Sequence, residues 1–424
     1  MDARTQIVVI GLGYVGLPLA ISLSKKFQVH GLDINADRVA ELDRAYDRTG
    51  EISADQLRES TLALTCDSTS CPPADFYIVT VPTPVDAANR PDLNIVMAAT
   101  RTVGAMLSAE RKPIIVYEST VYPGVTEELC RPLLEQVSGL NCGSDFFLGY
   151  SPERINPGDR EHTIDRITKV VSGQNEEVCD RIGELYGAIT SGGVFKAASI
   201  KAAEAAKVIE NTQRDINVAF MNEIAQIFGL MDLSVWDVLA AANTKWNFLP
   251  FTPGLVGGHC ISVDPFYLSH RAEQLGYAPR IILGGRSVND GMASWIAADI
   301  HRKSGGAAGR TLILGLTFKE DVPDLRNSKV ANLIAAFRAQ GREVVVHDPH
   351  ADPAEAQHEY DVALNPDALN STYDLVVVAV PHREYHERGL DRIVASIAPG
   401  GMLADLKNCF PAARRDAPVA VWTL

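Results

Sequence analysis

Continuous apolar runs recur in the first part of the chain, at residues 7–10, 76–81, 114–117 and 146–149, and helix-like segments separate them. A run that is apolar at every position is typical of a strand covered on both faces, as in a parallel sheet. Residues 29–33 supply a further strand after a tight turn and a helix. Because strands and helices alternate, this part of the chain is predicted to form a mostly parallel, doubly wound α/β domain.

A different pattern begins after Ser199. Residues 200–228 contain neither proline nor glycine and are rich in Ala, Glu, Lys and Ile. They predict one long helix, with Ser199 as its N-cap and Gly229 as the residue that ends it, and more helix follows to about residue 242. A helix of this length must bury its apolar face, so it is expected to link two domains or to form a dimer contact.

The last part of the chain repeats the pattern of the first, and its strands are predicted at residues 311–315, 343–347, 374–380 and 402–406. The expected fold is therefore α/β, with two Rossmann-like doubly wound domains joined by a long central helix and a helical middle domain. Ligands of such sheets bind beyond the carboxyl ends of the strands. The predicted domains are residues 1–198, 199–304 and 305–424, with the last boundary near Gly305 and Gly306.

Composition and charge restrict the classes of function. The hydrophobic and charged fractions, 46% and 22%, are ordinary for a globular protein. A net charge of −14 disfavours nucleic acids and anionic membranes as partners, so an anionic substrate would need local Lys or Arg. We find no signal-peptide pattern and no apolar stretch near the ~20 residues of a membrane span, and we expect a cytoplasmic location.

The seven cysteines are odd in number, and their spacings fit neither a disulfide framework nor a zinc site. No metal is therefore expected.

The first predicted strand is followed by a glycine-rich turn that opens a helix. Gly11 would allow the sharp turn, Gly13 would let a pyrophosphate approach the backbone, and Gly16 would permit close helix–sheet contact. Asp33, after the next strand, would accept hydrogen bonds from a ribose diol, and its charge favours NAD over NADP. The alternative is a glycine turn that binds nothing.

Two further strand ends carry threonines, Thr83 in Val-Pro-Thr-Pro and Thr120 in Glu-Ser-Thr. Both are expected at the same sheet edge, where they would contact the cofactor or reacting groups. Taken alone, each threonine is more typical of a turn or capping residue.

Cys260 lies in a glycine-rich loop, Gly-Gly-His-Cys, with Asp264 close behind. The thiol would pack in the core, bind metal or act as a nucleophile. A metal is disfavoured because no second His or Cys lies at ligand spacing.

Lys207 and Asn211 are four residues apart on the long predicted helix, so they share one face and would together stabilise an oxyanion. The alternative for Lys207 is a solvated surface position. Glu153 follows a predicted strand, where either a salt bridge or a catalytic carboxylate is expected.

Together these motifs closely resemble the UDP-glucose/GDP-mannose dehydrogenase family, over essentially the full chain. The matching elements, in chain order, are Gly-Leu-Gly-Tyr-Val-Gly (11–16), Val-Pro-Thr-Pro (81–84), Glu-Ser-Thr (118–120), Ser-Pro-Glu-Arg (151–154), the Lys207/Asn211 helix, Gly-Gly-His-Cys (257–260) with Asp264, and Gly-Leu-Thr-Phe-Lys-Glu-Asp (315–321) with Arg326.

The resemblance implies an NAD-dependent four-electron oxidation of a sugar hydroxymethyl group to a carboxylate, with Cys260 as the nucleophile. Cys260 would form a thiohemiacetal and then a thioester, which water hydrolyses. Glu153 would be the base for hydrolysis, Lys207 and Asn211 would stabilise oxyanions, and Thr120 and Asp264 would place water and protons.

The resemblance also assigns the three domains to NAD binding, to dimerisation with the catalytic cysteine, and to UDP-sugar binding. Further binding residues follow from it. The cofactor site would include Tyr14, Val15, Arg38, Thr83, Thr120 and Arg326, besides Gly11, Gly13, Gly16 and Asp33, and the substrate site would include Glu153, Arg154, Lys207, Asn211, Phe251, Gly257 and Lys319. For Lys319 and Arg326, the alternative is a surface ion pair with Glu320, Asp321 or Asp324.

His259 and Phe251 bear on the choice of sugar. The UDP-glucose branch of the family usually has Ser before the cysteine and an upstream Lys, whereas this chain has His259 and Phe251. The loop looks like that of the branch acting on UDP-N-acetylhexosamines, and the segment 151–159 looks like its members in bacterial O-antigen or capsule synthesis. UDP-GlcNAc or its galacto epimer is therefore expected, and the alternatives are UDP-N-acetylmannosamine and UDP-glucose.

Two other classes of function remain as alternatives. A two-electron hydroxyacid dehydrogenase would use the same cofactor without any cysteine. An NADH-sensing binding protein would need a partner or DNA-binding module, and the sequence shows no basic helix-turn-helix pattern.

Overall fold

The computed structural model describes residues 1–155, 161–306 and 308–424. It confirms the predicted fold class, because two α/β domains with mainly parallel sheets are accompanied by a helical middle region with one long helix. The chain divides into two compact units, Met1–Glu210 with Phe266–Ala278, and Asn211–Pro265 with Pro279–Leu424. The three predicted domain boundaries remain predictions.

Eight strands form the sheet of the first unit: β1 (Gln6–Ile10), β2 (Gln28–Leu32), β3 (Ala63–Thr65), β4 (Phe76–Val79), β5 (Ile114–Tyr117), β6 (Phe147–Tyr150), β7 (Lys169–Gly173) and β8 (Val194–Lys196). Their order is β3-β2-β1-β4-β5-β6-β7-β8. The pairing is parallel except between β6 and β7, where Gly149 lies opposite Gly173. Because β7 runs in the opposite direction, its first residue, Lys169, lies at the carboxyl edge of the parallel strands.

The helices of the first unit cover this sheet. They are α1 (Gly16–Ser24), α2 (Ala36–Asp43), α3 (Ala54–Glu59), α4 (Asn94–Met106), α5 (Arg131–Ser138) and α6 (Glu176–Gly187), with a π-helical turn at Val125–Cys130 before α5. Side chains fix several starts: Asn175 accepts the Val178 N–H of α6, and Ser53 forms a capping box with Gln56. The central strands are apolar and buried throughout, which accounts for the continuous apolar runs.

The predicted long helix is α7 (Ile200–Leu230). Its predicted N-cap is confirmed, because the Ser199 hydroxyl accepts the Ala202 N–H at 3.1 Å. The predicted end at Gly229 is wrong, since the helix continues to Leu230. A glycine inside a helix costs only about 1 kcal/mol, and here the Trp295 ring lies 3.8 Å from where a Cβ would stand. Shortly after the helix, Asp232 adopts a φ of 54°.

The second unit has a five-stranded parallel sheet of β9 (Arg310–Leu314), β10 (Glu343–His347), β11 (Tyr373–Val378), β12 (Ile397–Asp405) and β13 (Ala420–Thr423), in the order β10-β9-β11-β12-β13. Every predicted strand of the chain is present, although β12 begins at Ile397 rather than at residue 402. The remaining helices are α8 (Val235–Ala242), α9 (Asp264–Gln274), α10 (Arg280–Lys303), α11 (Lys329–Ala339), α12 (Pro353–Tyr360), α13 (Arg383–Val394) and α14 (Ala413–Asp416).

Across the described ranges, no helix combines the length and the apolar character that crossing a bilayer requires.

Candidate active site

The glycine-rich turn after β1 is held tightly against its neighbours. Gly11 has a φ of +93°, and its N–H donates to the Leu32 carbonyl at 2.8 Å. The Thr80 hydroxyl donates to the Gly11 carbonyl at 2.8 Å, which ties the end of β4 at Val79 to the glycine turn. A Cβ on Gly16 would stand 1.8 Å from the Gly11 oxygen, so only glycine lets α1 begin this close to the turn.

The outer side of the same turn suits a dinucleotide. No atom of the described residues lies within 4 Å of an ideal Cβ on the exposed Gly13, so a phosphate has room to reach the backbone at the start of α1. The Asp33 carboxylate accepts the Leu12 N–H at 2.8 Å and the Asn35 N–H at 2.9 Å, which orients it at the end of β2. Each oxygen retains acceptor capacity for ribose hydroxyls.

Arg38 lies behind the turn. Its buried guanidinium donates to the Leu12 carbonyl at 2.9 Å and to Asp47 at 2.7 Å. Thr83 and Thr120 are half-buried after β4 and β5, as expected for that sheet edge. Contact of these three residues with a cofactor remains a prediction.

A buried ionic cluster lies at the carboxyl edge of the first sheet. The Lys169 ammonium is 2.7 Å from Glu118, which follows β5, and 3.5 Å from Glu153, which follows β6. The Tyr186 hydroxyl, on α6, donates to the second oxygen of Glu118. Sequence reasoning quoted Glu118 only as part of a motif and missed Lys169 and Tyr186.

Glu153, the predicted base, is oriented by its own loop. Its Oε1 accepts the N–H groups of Arg154 at 2.6 Å and Ile155 at 2.5 Å. Burial alone would raise the pKa of Glu153, but Lys169, the Ile155 N–H and Lys207 outweigh burial and lower it from its ordinary value. The carboxylate is therefore ionised at neutral pH, as a general base requires.

Lys207 is only 7% exposed, so its alternative as a solvated surface residue is wrong. It lies one turn before Asn211 on α7. Arg154, in contrast, is half-exposed and pairs with Glu210 of the same helix at 2.9 Å.

In the second unit, the buried Asn211 amide donates to the Asp264 carboxylate at 2.6 Å. Asp264 is the first residue of α9, and its N–H donates to the Cys260 carbonyl at 2.8 Å. Cys260 is exposed in the turn that leads into this helix. The core-packing alternative for this cysteine is therefore wrong, and its thiol is accessible to a ligand.

The cysteine loop is seated on the segments that follow β9. A Cβ on Gly258 would lie 2.9 Å from the Phe318 ring, and one on Gly257 would lie 2.7 Å from the Asn327 carbonyl. The Asn327 amide donates to the Gly258 carbonyl at 3.0 Å and to the Ser262 hydroxyl at 2.7 Å. Asn327 is a third residue that sequence reasoning missed, because its contact with the loop spans 69 residues.

His259 is neutral at physiological pH. Burial, followed by the positive charge of Arg326, lowers its pKa to about 4. Its ring packs edge-on against Phe318, with ring centroids 6.3 Å apart. Arg326 is half-exposed and pairs with Asp324 at 2.8 Å, and Lys319 is half-buried.

Three domain models of one family match this chain, in the order of the sequence. The NAD binding domain of the UDP-glucose/GDP-mannose dehydrogenase family matches residues 5–190, its central domain matches 201–291, and its UDP binding domain matches 312–412. The chain belongs to the UDP-glucose/GDP-mannose dehydrogenase family. It is accordingly an NAD-dependent oxidoreductase acting on a nucleotide sugar, as the resemblance implied.

Relatives and a solved structure narrow the comparison within this family. The chain is 48% identical to "Protein CapL" of Staphylococcus aureus, over 99% of both chains. It is 47% identical to the UDP-N-acetyl-D-glucosamine 6-dehydrogenase of Pseudomonas aeruginosa, over 95% of this chain and 96% of the relative. The structure of a UDP-D-ManNAc dehydrogenase from Pyrococcus horikoshii matches 99% of both chains with a TM-score of 0.88 and 26% identity.

Phe251 has a structural role that the sequence did not indicate. It is half-buried and packs on an apolar cluster of Met221, Ala225, Val235 and Leu239. Its predicted contact with the sugar remains a prediction for this family member.

A group of potential ligands in the second unit was also not predicted. Asp321, His350 and His382 bring ligand atoms within 4.8 Å of one another. However, His382 Nδ1 already accepts the Asp321 N–H at 3.0 Å, and its Nε2 lies 3.0 Å from Asp348. These contacts occupy both nitrogens of the buried His382 ring. The ring therefore links the segments that follow β10 and β11 to the loop after β9.

Proposed function

We propose that the protein oxidises the C6 hydroxymethyl group of UDP-N-acetyl-D-glucosamine, or of its galacto epimer, to the uronate. The chemistry is supported most directly by the exposed Cys260, in the turn before the Asp264–Asn211 pair. The choice of sugar is supported by the relative of that name at 47% identity over nearly the whole chain. The product would serve cell-surface polysaccharide synthesis.

NAD fits the residues at the end of β1 and β2. Gly11 to Gly16 would hold its pyrophosphate at the start of α1, and Asp33 would hold a ribose. Bound NAD supplies the capacity to accept a hydride, once from the alcohol and once from the hemiacetal carbon. Tyr14, Val15, Arg38, Thr83, Thr120 and Arg326 are proposed to complete this site.

Cys260 acts on the aldehyde that the first oxidation leaves. As a thiolate, its Sγ bonds to the aldehyde carbon, the π electron pair of the carbonyl moves to oxygen, and the oxyanion of a thiohemiacetal results. Lys207 and Asn211 would stabilise the negative oxygen by charge and by hydrogen bonding. The second oxidation converts this carbon to a thioester.

Glu153 completes the reaction by activating water. The water proton passes to the Glu153 carboxylate, the water oxygen bonds to the thioester carbon, and the C–S bond breaks with its electron pair on Sγ. The lowered pKa of Glu153 keeps this base ionised at neutral pH. Asp264 and Thr120 are proposed to place water and protons.

Local positive charge would bind the phosphates of the ligands despite the net charge of −14. Lys319, on the substrate side, and Arg326, over the cofactor, are proposed for this role, and Arg154, Gly257 and Phe251 are proposed to complete the substrate site.

A homodimer through α7 is supported by apolar side chains that the helix leaves exposed. Ile209, Phe220 and Ile227 are 53%, 54% and 46% exposed. Their spacings of about three and two helical turns put them on one face. We place this dimer in the cytoplasm, where NAD and nucleotide sugars are available.

The substrate is tested by counting NADH per sugar consumed with UDP-GlcNAc, UDP-GalNAc, UDP-ManNAc and UDP-glucose. We expect two NADH for each UDP-GlcNAc or UDP-GalNAc and slower turnover of the other two sugars. One NADH per sugar would instead indicate a two-electron dehydrogenase. Preference for UDP-ManNAc or UDP-glucose would contradict the assignment of the sugar while leaving the chemistry intact.

A further inference from the structure

Lys169 is a fully buried lysine that no step above uses. Burying an ammonium is costly unless carboxylates compensate it, and two do: Glu118 at 2.7 Å and Glu153 at 3.5 Å. The ammonium also lies 5.0 Å from the centre of the Tyr186 ring. β7 runs antiparallel to its neighbour β6, and this direction brings Lys169 to the edge where Glu118 and Glu153 also lie.

The two carboxylates differ in what else they bind. Both oxygens of Glu118 have partners, Lys169 and Tyr186. On Glu153, Oε1 is held by two backbone N–H groups, whereas Oε2 accepts no hydrogen bond from the described residues. Oε2, with Lys169 3.5 Å away, is therefore the oxygen left to receive a proton.

We infer that Lys169, anchored by Glu118 and Tyr186, is a positioning residue that keeps Glu153 ionised and fixed for hydrolysis of the Cys260 thioester. This inference rests on the proposed function. In the hydrolysis step, Lys169 exchanges no proton. It stabilises the carboxylate before the water proton arrives, while the C–O bond forms, the C–S bond breaks and the electron pair returns to sulfur.

Charged groups from several elements of its unit face Glu153, and each of them affects the pH dependence. Lys169 from β7 and Lys207 from α7 favour the ionised form, and Glu118 after β5 opposes it. Tyr186 acts through Glu118. The pKa of Glu118 itself is raised to about 7 by burial and, more weakly, by Glu153, although Lys169 opposes this rise.

The test measures decay of the covalent sugar adduct on Cys260, by intact-protein mass spectrometry after mixing enzyme, NAD and UDP-GlcNAc, across a range of pH. In Lys169→Met, Glu153 loses its nearest cation and its pKa rises, so hydrolysis loses its base at acidic pH. We expect the acid limb of the pH profile of adduct decay to move up by about one unit or more, which slows decay on that limb by about tenfold. Formation of the adduct should be retained.

Lys169→Arg keeps the charge and should recover most of the decay rate. Lys196→Met is the matched control, since Lys196 is 55% exposed and pairs with the surface residue Asp180. If Lys169→Met fails to fold, Lys169→Gln is assayed in its place, because it removes the charge, leaves Glu118 unchanged and can still donate a hydrogen bond to it.

The inference would be overturned if either folded variant kept the wild-type rate and pH profile of adduct decay. It would also be overturned if adduct formation slowed by the same factor as adduct decay. Neither result would affect the proposed function if the wild-type protein still yields two NADH per sugar. Absence of NADH formation by the wild-type protein would overturn both.

Discussion

Gly13 and Gly16 belong to the same turn, but glycine is needed at the two positions for different reasons. Gly16 is required by the fold, because a Cβ there would meet the Gly11 oxygen at 1.8 Å. Gly13 borders open space, so the absence of a side chain there leaves room for a ligand to approach the backbone. The sequence motif predicted both roles, since the roles follow from the position of each glycine in a strand–turn–helix unit.

Gly13→Ala and Gly16→Ala should therefore separate binding from stability. Gly13→Ala is expected to leave the thermal midpoint of the unliganded protein nearly unchanged while weakening NAD binding by about tenfold or more, since the Cβ would occupy the phosphate's approach. Gly16→Ala should lower the midpoint by several degrees through the backbone clash. Thermal unfolding and calorimetric titration with NAD check both, and a reversal of the two effects would contradict the assignment.

Other site residues could not be predicted from their neighbours in sequence. Lys169 comes just before Val170 and Val171, and its neighbours in sequence give no sign of its partners. Glu118 and Tyr186 lie 51 and 17 residues away along the chain. His259 could be identified as distinctive, but its neutrality comes from burial and from Arg326, which only the fold brings near. The sequence motifs therefore identified the candidate catalytic and binding residues, but not the residues that position them.

At the scale of elements, α7 does more than carry Lys207 and Asn211. The buried Glu204, one turn earlier, accepts the N–H groups of Gly124 at 2.6 Å and Thr126 at 3.0 Å. Burial raises the pKa of Glu204 to about 7, although these donors lower it. The helix thereby fixes the turn that follows Thr120 and leads into the π-helical segment Val125–Cys130.

Glu204→Ala should lower the free energy of unfolding by about 2–4 kcal/mol, because two buried N–H groups lose their acceptor. Glu210→Ala, on the same helix, removes only a half-exposed ion pair and should cost less than about 1 kcal/mol. Chemical denaturation of both variants checks this. Equal losses would show that the Glu204 hydrogen bonds do not hold the turn.

The elements themselves were predictable where periodicity was strong. The apolar runs located the central strands, and the absence of Pro and Gly located α7. The direction of β7 was not predictable, because strand orientation depends on the connection and on packing rather than on local pattern. The sequence predicted that α7 ends at Gly229, but this glycine lies inside the helix, where it packs against the Trp295 ring of α10.

For the whole molecule, the sequence repeat between the two ends of the chain predicted two similar sheets, and both are present. At this scale, α7 also leaves the apolar side chains of Ile209, Phe220 and Ile227 exposed on one face. We expect a dimer in solution, and Phe220→Glu should shift it towards monomer by placing charge on that face. Phe195→Glu, at a 60% exposed position on β8, is the matched control.

Sedimentation velocity of the three proteins distinguishes these outcomes. A wild-type monomer, or a dimer that Phe220→Glu leaves unchanged, would contradict dimerisation through this face of α7.

The central claim is that Cys260 carries the sugar between the two oxidations. The most direct measurement is the uronate formed from UDP-GlcNAc and NAD by the wild-type protein and by Cys260→Ala, quantified by mass spectrometry alongside NADH. We predict two NADH per uronate for the wild type and no uronate for Cys260→Ala. Uronate from Cys260→Ala, with two NADH per sugar, would contradict the mechanism.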